Sequence, residues 1–419
     1  MTKSKKIKVL VVASDRTGVS FFRSTKPHIA LEQNYPDIFS IDIDYEPQLE
    51  NDEWLKQYDI IHYHRTLGDY TTLPSLLNKL DTLGIVSIMD LDDYWSPGPH
   101  HPAYLLIKNS GLDKLIVNNL RISRNITTTT KIFANEIKKL NKNVFVLPNA
   151  IDPTERQFTP NPESSSRLRI GWLGGSSHLK DLELIKDVVG NIYREGLIDK
   201  VQFVLCGYDL MGTMTIIDEK TKQQTQRPIK PTESVWYQYE KIFTDNYSIV
   251  SPEYKDFLLK FKNEEYFNVA NEPYRRVWTK PISTYASNYN LFDISLAPIE
   301  DNIFNEVKSN LKIIEAGFHK KAIIAQDFGP YQIDVKNAIQ FGGGWDTNAN
   351  GILIKPSKNQ NKDWVRAIKK LILQPELVTQ LSENLYSTVK DKYSMNKVTE
   401  DRKDLYLKLI KEKTNKWKN

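Results

Sequence analysis

Short apolar runs rich in β-branched residues alternate along the chain with longer amphipathic stretches, and this rhythm restarts once. Residues 9–13 form the first buried strand, and the polar turn Asp15-Arg16-Thr17-Gly18-Val19 leads into helical spacing over 22–31. Strand-like runs follow at 38–43, 60–63, 85–89, 126–129 and 144–147, with helical spacers at 73–83 and 131–140. Continuous apolar strands separated by helices predict a parallel sheet covered on both faces. The threonine run 127–130 reads as a strand entering a threonine cap for the helix that begins near Lys131. A polar stretch rich in Pro and Ser, 152–166, then breaks the pattern and predicts a linker.

The rhythm resumes with a strand at 168–173, the turn Gly174-Gly175-Ser176-Ser177, a helix at 179–189 and a strand at 201–206. From 208 to 279 it is lost, and this stretch reads as an insertion carrying Trp236, Tyr237, Tyr239, Tyr274 and Trp278. An acceptor platform, an oligomer contact and simple decoration remain open for it. A helix at 283–289, a strand at 292–297, a helix at 309–318, strands at 322–325 and 352–354, and closing helices at 363–373, 375–390 and from 396 complete the prediction. The expected fold is α/β, two Rossmann-like doubly wound domains facing a cleft. Residues 1–155 form the first and 167–395 the second, with 156–166 as linker and helix 396–419 packing back on the first domain. In such sheets ligands bind outside the carboxyl ends of the strands.

Composition narrows the classes. The 419 residues fit two domains, and 40% hydrophobic with 26% charged residues is ordinary for a folded protein. The 57 basic and 52 acidic side chains leave a net charge of only +5, which argues against a dedicated nucleic-acid binder. The excess gathers at the ends, at Lys3, Lys5, Lys6 and Lys8 and at Lys408, Lys411, Lys413, Lys416 and Lys418. Solvated termini account for it, and peripheral contact with anionic lipid is the alternative. Cys206 is the single cysteine and reads as a buried hydrophobe, not a nucleophile. No stretch approaches the ~18–20 apolar residues of a membrane span, and the opening run reads as a strand, not a signal peptide. The expected location is cytoplasmic, at most peripheral to the inner membrane face.

Three constellations carry candidate chemistry. In the first, a strand runs into Gly174-Gly175-Ser176 and opens a helix bearing Lys180. Glycines admit close backbone approach, and a helix N-terminus offers free N–H groups with about half a positive charge to a phosphate. In the second, Ser309 reads as an N-cap, and Lys308, Lys312 and Glu315 are spaced to share one helical face. Two cations there invite an anion, and a carboxylate one turn deeper suits the hydroxyls of a ribose. In the third, Asp90, Asp92 and Asp93, with His100 and His101 shortly after, follow the strand 85–89. Carboxylates beside imidazoles suit general-base activation of a hydroxyl. A divalent ion is the other reading, with loop capping the structural one. His62 and His64 alternate at a strand end and are expected on opposite faces, a poor spacing for one metal.

The segments Asp59-Ile60-Ile61-His62-Tyr63-His64, Val146 through Asp152, Phe292 through Pro298 and Lys312 through Ala325 resemble, in order and spacing, motifs of the family-four retaining glycosyltransferases of the GT-B class. The resemblance spans nearly the whole chain. It implies transfer of a sugar from a nucleotide-sugar, with retention, to a glycan, lipid-linked or protein acceptor in surface polysaccharide or glycoconjugate synthesis. It implies no cofactor and no required divalent metal. By the resemblance, Glu315 holds the ribose, the amides of Ser309, Asn310 and Leu311 face the diphosphate, and Lys180 is the phosphate lysine. Gly18 faces the diphosphate from the first domain, and Arg23 follows it. Asp92, Asp93 and His101 are the catalytic candidates near the acceptor.

Two positions depart from the family pattern. Its first motif glutamate falls at Val307, where Glu306 or Lys308 would substitute, and its phosphate arginine falls at Gly175, so Lys308 or Lys312 would supply that charge. A catalytically inactive nucleotide-sugar- or glycan-binding adaptor, and a nucleotide-sugar epimerase of the same fold, are the rival readings these departures sustain.

Overall fold

A computed structural model describes residues 5–217, 221, 223–244, 251–340 and 344–416. Lys3 and Lys418 of the terminal lysine clusters, and part of the insertion, lie outside the described residues. The chain divides into two compact units: Met1–Pro153 with Asp301–Ile314 and Val389–Asn419, and Thr154–Glu300 with Glu315–Thr388.

The first unit is built on six parallel strands, β1 (Ile7–Val12), β2 (Phe39–Asp44), β3 (Ile60–His64), β4 (Val86–Leu91), β5 (Ile126–Thr128) and β6 (Val144–Val146). Their order is β2-β1-β3-β4-β5-β6. Leu10, Ile61 and Met89 face one layer of the core, and Val9, Ile60 and Ile88 the other, as expected when both faces are covered. Thr130 caps the helix Lys131–Ile137, its hydroxyl accepting from the Phe133 amide at 3.1 Å. The expected helix over 22–31 begins instead as a π-helical segment, Ser20–Thr25, and continues as Lys26–Asn34. The closing helix Met395–Lys416 lies against it, placing Leu405, Tyr406 and Leu409 in the same core as Val9, Val11 and Leu31.

The second unit carries β7 (Leu168–Leu173), β8 (Val201–Tyr208), the hairpin β9 (Thr213–Ile217) with β10 (Gln224–Pro228), β11 (Tyr274–Trp278), β12 (Ile294–Ala297), β13 (Ala322–Gln326) and β14 (Ile352–Ile354). The main sheet runs β11-β8-β7-β12-β13-β14, all parallel. Without the hairpin, this is the 3-2-1-4-5-6 order of the doubly wound nucleotide-binding sheet.

Several expectations are corrected here. The stretch 208–279 is not wholly an insertion, because its last segment, Tyr274–Trp278, is the edge strand of the main sheet. Its Tyr and Arg side chains hide the apolar run that marks a buried strand. Trp236, Tyr239 and Tyr274 are core residues, which removes them from any exposed platform. The single helix expected over 179–189 is two, Leu179–Glu183 and Val188–Arg194, parted at Asp187 with φ of 67°. The helix expected from Ser309 starts at Leu311. Asn310 is its cap, because its carbonyl accepts from the Ile313 and Ile314 amides. His62 and His64 share one face of β3, since side chains two residues apart point the same way. They sit over Asp90, on β4, and Asp92, one residue past its end.

Candidate functional site

In the first unit the strand order reverses between β1 and β3, and ligands of open α/β sheets bind outside the carboxyl ends at such a point. Three sequence-predicted groups lie at these ends. After β1, Asp15 accepts from the Thr17 amide at 2.7 Å and the Thr17 hydroxyl at 2.8 Å. Burial opposes charge on Asp15, but its bonds with Thr17 and Ser20 outweigh that and hold the carboxyl below its usual range. Gly18 is half-buried at the mouth of this turn. Arg23, one turn on, is closed in a buried pair. Its Nε and Nη2 donate to Asp90 at 2.9 and 2.8 Å, and Nη1 donates to Leu147 O and Asn149 Oδ1. Those bonds turn Arg23 and Asp90 into a brace beneath the strand ends.

After β3 and β4 the arrangement is more open. His64 Nε2 meets Asp92 Oδ1 at 2.9 Å, and Arg65 Nη2 stands 3.7 Å from the same oxygen. Arg65 has φ of 60° and a buried Nε with no hydrogen-bond partner. A non-glycine residue rarely adopts that conformation, which costs of order 1–3 kcal/mol and clusters at functional sites. The neighbouring carboxyls are driven apart. Burial raises Asp92, but His64 outweighs it, helped by Arg65 and Arg23, and the group stays ionised well below the carboxylate range. Burial and the adjacent Asp92 charge push Asp93 up, with Lys308, Arg65 and His64 pulling the other way. Two carboxyls with opposed shifts are what a proton-handling site needs. His101 accepts from the Ala103 amide through Nδ1 at 3.1 Å, and its ring lies 5.0 Å from that of Phe304. Lys308 Nζ stands 5.1 Å above the same ring. Sequence reasoning passed over Arg65, and its only signal was its place one residue past a strand end.

In the second unit the reversal falls between β7 and β12. Gly174-Gly175-Ser176 follows β7. A Cβ on Gly174 would meet the Trp172 ring at 2.4 Å, whereas Gly175 faces open space. Gly207 beside them has φ of 100°, and a Cβ there would come within 2.6 Å of Gly174 O. Glycine is required twice to fold this turn onto its neighbour. The following helix is only five residues long, and Lys180 Nζ donates to Glu183 at 2.8 Å, which raises its pKa. Asp181 ties the turn to the end of β12, accepting from the Glu300 amide at 2.7 Å and pairing with His178 at 2.6 Å.

Glu315 is buried, 4% exposed, in the helix Leu311–Phe318. The Tyr285 hydroxyl donates to one of its oxygens and the Tyr289 hydroxyl to the other, the second at 3.0 Å. Burial raises both phenols well above their ordinary pKa, and the Glu315 charge raises them further. Tyr285 and Tyr289, four residues apart ahead of β12, were not among the predicted site residues. Lys312 shares the helix with Glu315, while Lys308 precedes its start, so the helical spacing expected of all three holds only for the last two. Ser309 is half-buried before the helix, Asn310 is buried with its Nδ2 donating to Tyr393 at 2.8 Å, and Leu311 opens the first turn. Val307 is 1% exposed, in the apolar core of the first unit. Among the described residues no group of three or more His, Cys, Asp or Glu is placed to hold a metal, and no helix is long and apolar enough to cross a membrane.

The sequence matches no protein-family model and no curated protein. Solved structures share its fold. HepE of Anabaena, in complex with UDP-glucose, is 13% identical with a TM-score of 0.56, covering 96% of this chain and 99% of its own. A glycosyltransferase of Rickettsia africae is 12% identical with a TM-score of 0.58, covering 97% and 100%. The catalytic domain of starch synthase IV of Arabidopsis thaliana, bound to ADP and acarbose, is 12% identical with a TM-score of 0.56 over the same shares. The chain therefore has the two Rossmann-like sheets of the GT-B glycosyltransferases.

Proposed function

We propose that this protein is a glycosyltransferase that takes a sugar from a nucleotide-sugar and passes it, with retention, to a glycan or glycoconjugate acceptor. The observation that carries the reading is the buried Glu315 carboxylate, held by two tyrosine hydroxyls in a sheet of 3-2-1-4-5-6 order. Each carboxylate oxygen can accept more than one hydrogen bond, so a ribose diol would share Glu315 with Tyr285 and Tyr289 or displace them, and the glycine turn after β7 offers bare backbone to a diphosphate. The bound nucleotides of HepE and starch synthase IV support the same donor class.

In the first unit, Asp93 is the group proposed to exchange a proton with the acceptor hydroxyl, its raised pKa suiting it to that task. Asp92 stays charged and fixes His64, and Arg65, Lys308 and His101 border the same site. Positive groups arranged in advance around a leaving diphosphate would supply the main catalytic term. Lys308 and Lys312 are proposed to provide the charge that Gly175 lacks. No cofactor or metal enters this scheme.

The test is a thermal-shift and calorimetric screen of UDP, GDP, ADP and their common sugars on the wild type and on Glu315→Ala. One nucleotide should stabilise the wild type, and the variant should bind it about 10–100-fold more weakly, since charged hydrogen bonds are worth about 1.5–3 kcal/mol. Equal binding by the variant would sink the assignment. Tight binding with neither hydrolysis nor transfer would favour an adaptor.

A further inference from the structure

The second unit holds a cavity of about 500 Å³ along the edge strand β11, lined from Arg275 to Lys280, just past its carboxyl end. Its wall is an aromatic ladder climbing from core to solvent. Tyr254 is 1% exposed and stacks on Phe257 with ring planes 14° apart and centroids 6.0 Å apart. Tyr266 closes on both rings at 4.9 and 5.5 Å. Phe267 follows, 6.0 Å from Tyr266 and 89% exposed at the rim. A folded chain gains nothing by holding a phenyl face in water, and an exposed apolar face over a cavity marks a binding site.

Beneath the ladder are two buried donors. Arg276, with a side chain 1% exposed, gives Nε and Nη2 to Glu240 at 2.8 and 2.6 Å, while its Nη1 has no hydrogen-bond partner. The indole Nε1 of Trp278 is likewise buried and unpartnered. The Arg276 guanidinium lies 4.3 Å over the Tyr208 ring, so it and the Trp278 indole form the closed floor of the cavity. The rim carries both signs: Arg275 is paired with Glu163 at 3.0 Å, and Glu264 and Glu265 stand by. Mixed charge does not select an anion. An uncharged ligand with hydroxyls for the rim and apolar ring faces for the ladder fits both features.

We propose that this cavity is a saccharide-binding site, in which a short stretch of glycan lays a pyranose face on Phe267 and Tyr266 and presents hydroxyls to the rim charges of Arg275, Glu264 and Glu265. Resting on the proposed glycosyl transfer, it would hold the acceptor glycan at a distance from the reacting end, raising the effective concentration of that end.

The test titrates the full chain with maltotriose, cellotriose, chitotriose, mannotriose and a mixed decapeptide pool, read by calorimetry and saturation-transfer NMR. At least one trisaccharide should bind the wild type. Phe267→Ala should weaken it tenfold or more, and Tyr266→Ala comparably. Since Phe267 is exposed, its variant should keep the wild-type melting temperature and the full nucleotide-induced thermal shift. If no trisaccharide binds while the Glu315-dependent nucleotide shift is present, the saccharide site is overturned and the proposed transferase stands. If trisaccharides bind through Phe267 and no nucleotide does, the site stands and the transferase reading fails. Trisaccharide binding indifferent to both substitutions, or binding of the peptides alone, also overturns the site.

Discussion

Asp92 and Asp93 are neighbours with the same side chain, and their surroundings give them different work. Asp92 has a histidine at 2.9 Å and a guanidinium at 3.7 Å, while Asp93 carries the cost of burial beside another carboxylate. Asp93→Asn should lower kcat by about 10²–10⁴-fold with nucleotide affinity unchanged, the usual scale for a lost general acid or base. A steady-state assay of nucleotide release with a competent acceptor checks it, and full activity would remove Asp93 from the chemistry. Asp90, two residues earlier, is structural. Asp90→Ala leaves Arg23 buried without its partner and should cost about 3–5 kcal/mol in urea unfolding. The residue types at these positions were legible in the sequence. Their division of labour was not, because it depends on which neighbours β3 and the π-helical segment Ser20–Thr25 bring alongside.

At the scale of elements, local chemistry decides boundaries and tertiary packing decides membership. Thr130 was readable as a cap because β-branched residues give way there to a helical pattern, and its hydroxyl does bind the Phe133 amide. Thr130→Ala should cost about 1 kcal/mol of stability, measurable by chemical denaturation. The strand Tyr274–Trp278 was not readable. Arg275 and Arg276 interrupt its sequence, so no continuous apolar run announces it. Gly207→Ala belongs to this scale as well. With φ of 100° and Gly174 O in the way, the turn after β7 must shift, and nucleotide binding should weaken by at least tenfold in the same calorimetric titration while the fold is retained.

Over the first unit as a whole, stability should follow the charge state of a buried polar seam. His28 Nδ1 lies 2.5 Å from Ser24 O and its Nε2 is 2.7 Å from the Tyr406 hydroxyl, while neither ring nitrogen of His62 has a hydrogen-bond partner. Burial drives both imidazoles well below their ordinary value of 6.5. The Arg402 charge adds to this for both, and Arg23 acts further on His62. Asp90 favours the charged form of His28 but does not prevail. The unfolded chain binds protons that the folded one refuses. Stability is therefore complete above about pH 6.5 and falls as pH drops below it, by up to about 1.4 kcal/mol per pH unit for each histidine. Urea midpoints between pH 7.5 and 5 should show that slope, and His28→Gln with His62→Gln should flatten it.

The sequence by itself determined the doubly wound halves, the restart of the pattern at the strand 168–173, most strands to within two residues, and the chemical types gathered at the strand ends. Apolar periodicity and turn residues act over a few positions, so they survive in a linear reading. Only the tertiary structure decided that Arg23 is locked to Asp90, that Tyr285 and Tyr289 hold Glu315, that Val307 belongs to the core, and that an aromatic ladder stands beside β11. Each of these joins residues 12 to 67 positions apart or turns on which face of an element is covered. Long-range pairing and burial are fixed by packing whole elements together, and no local pattern along the chain encodes them.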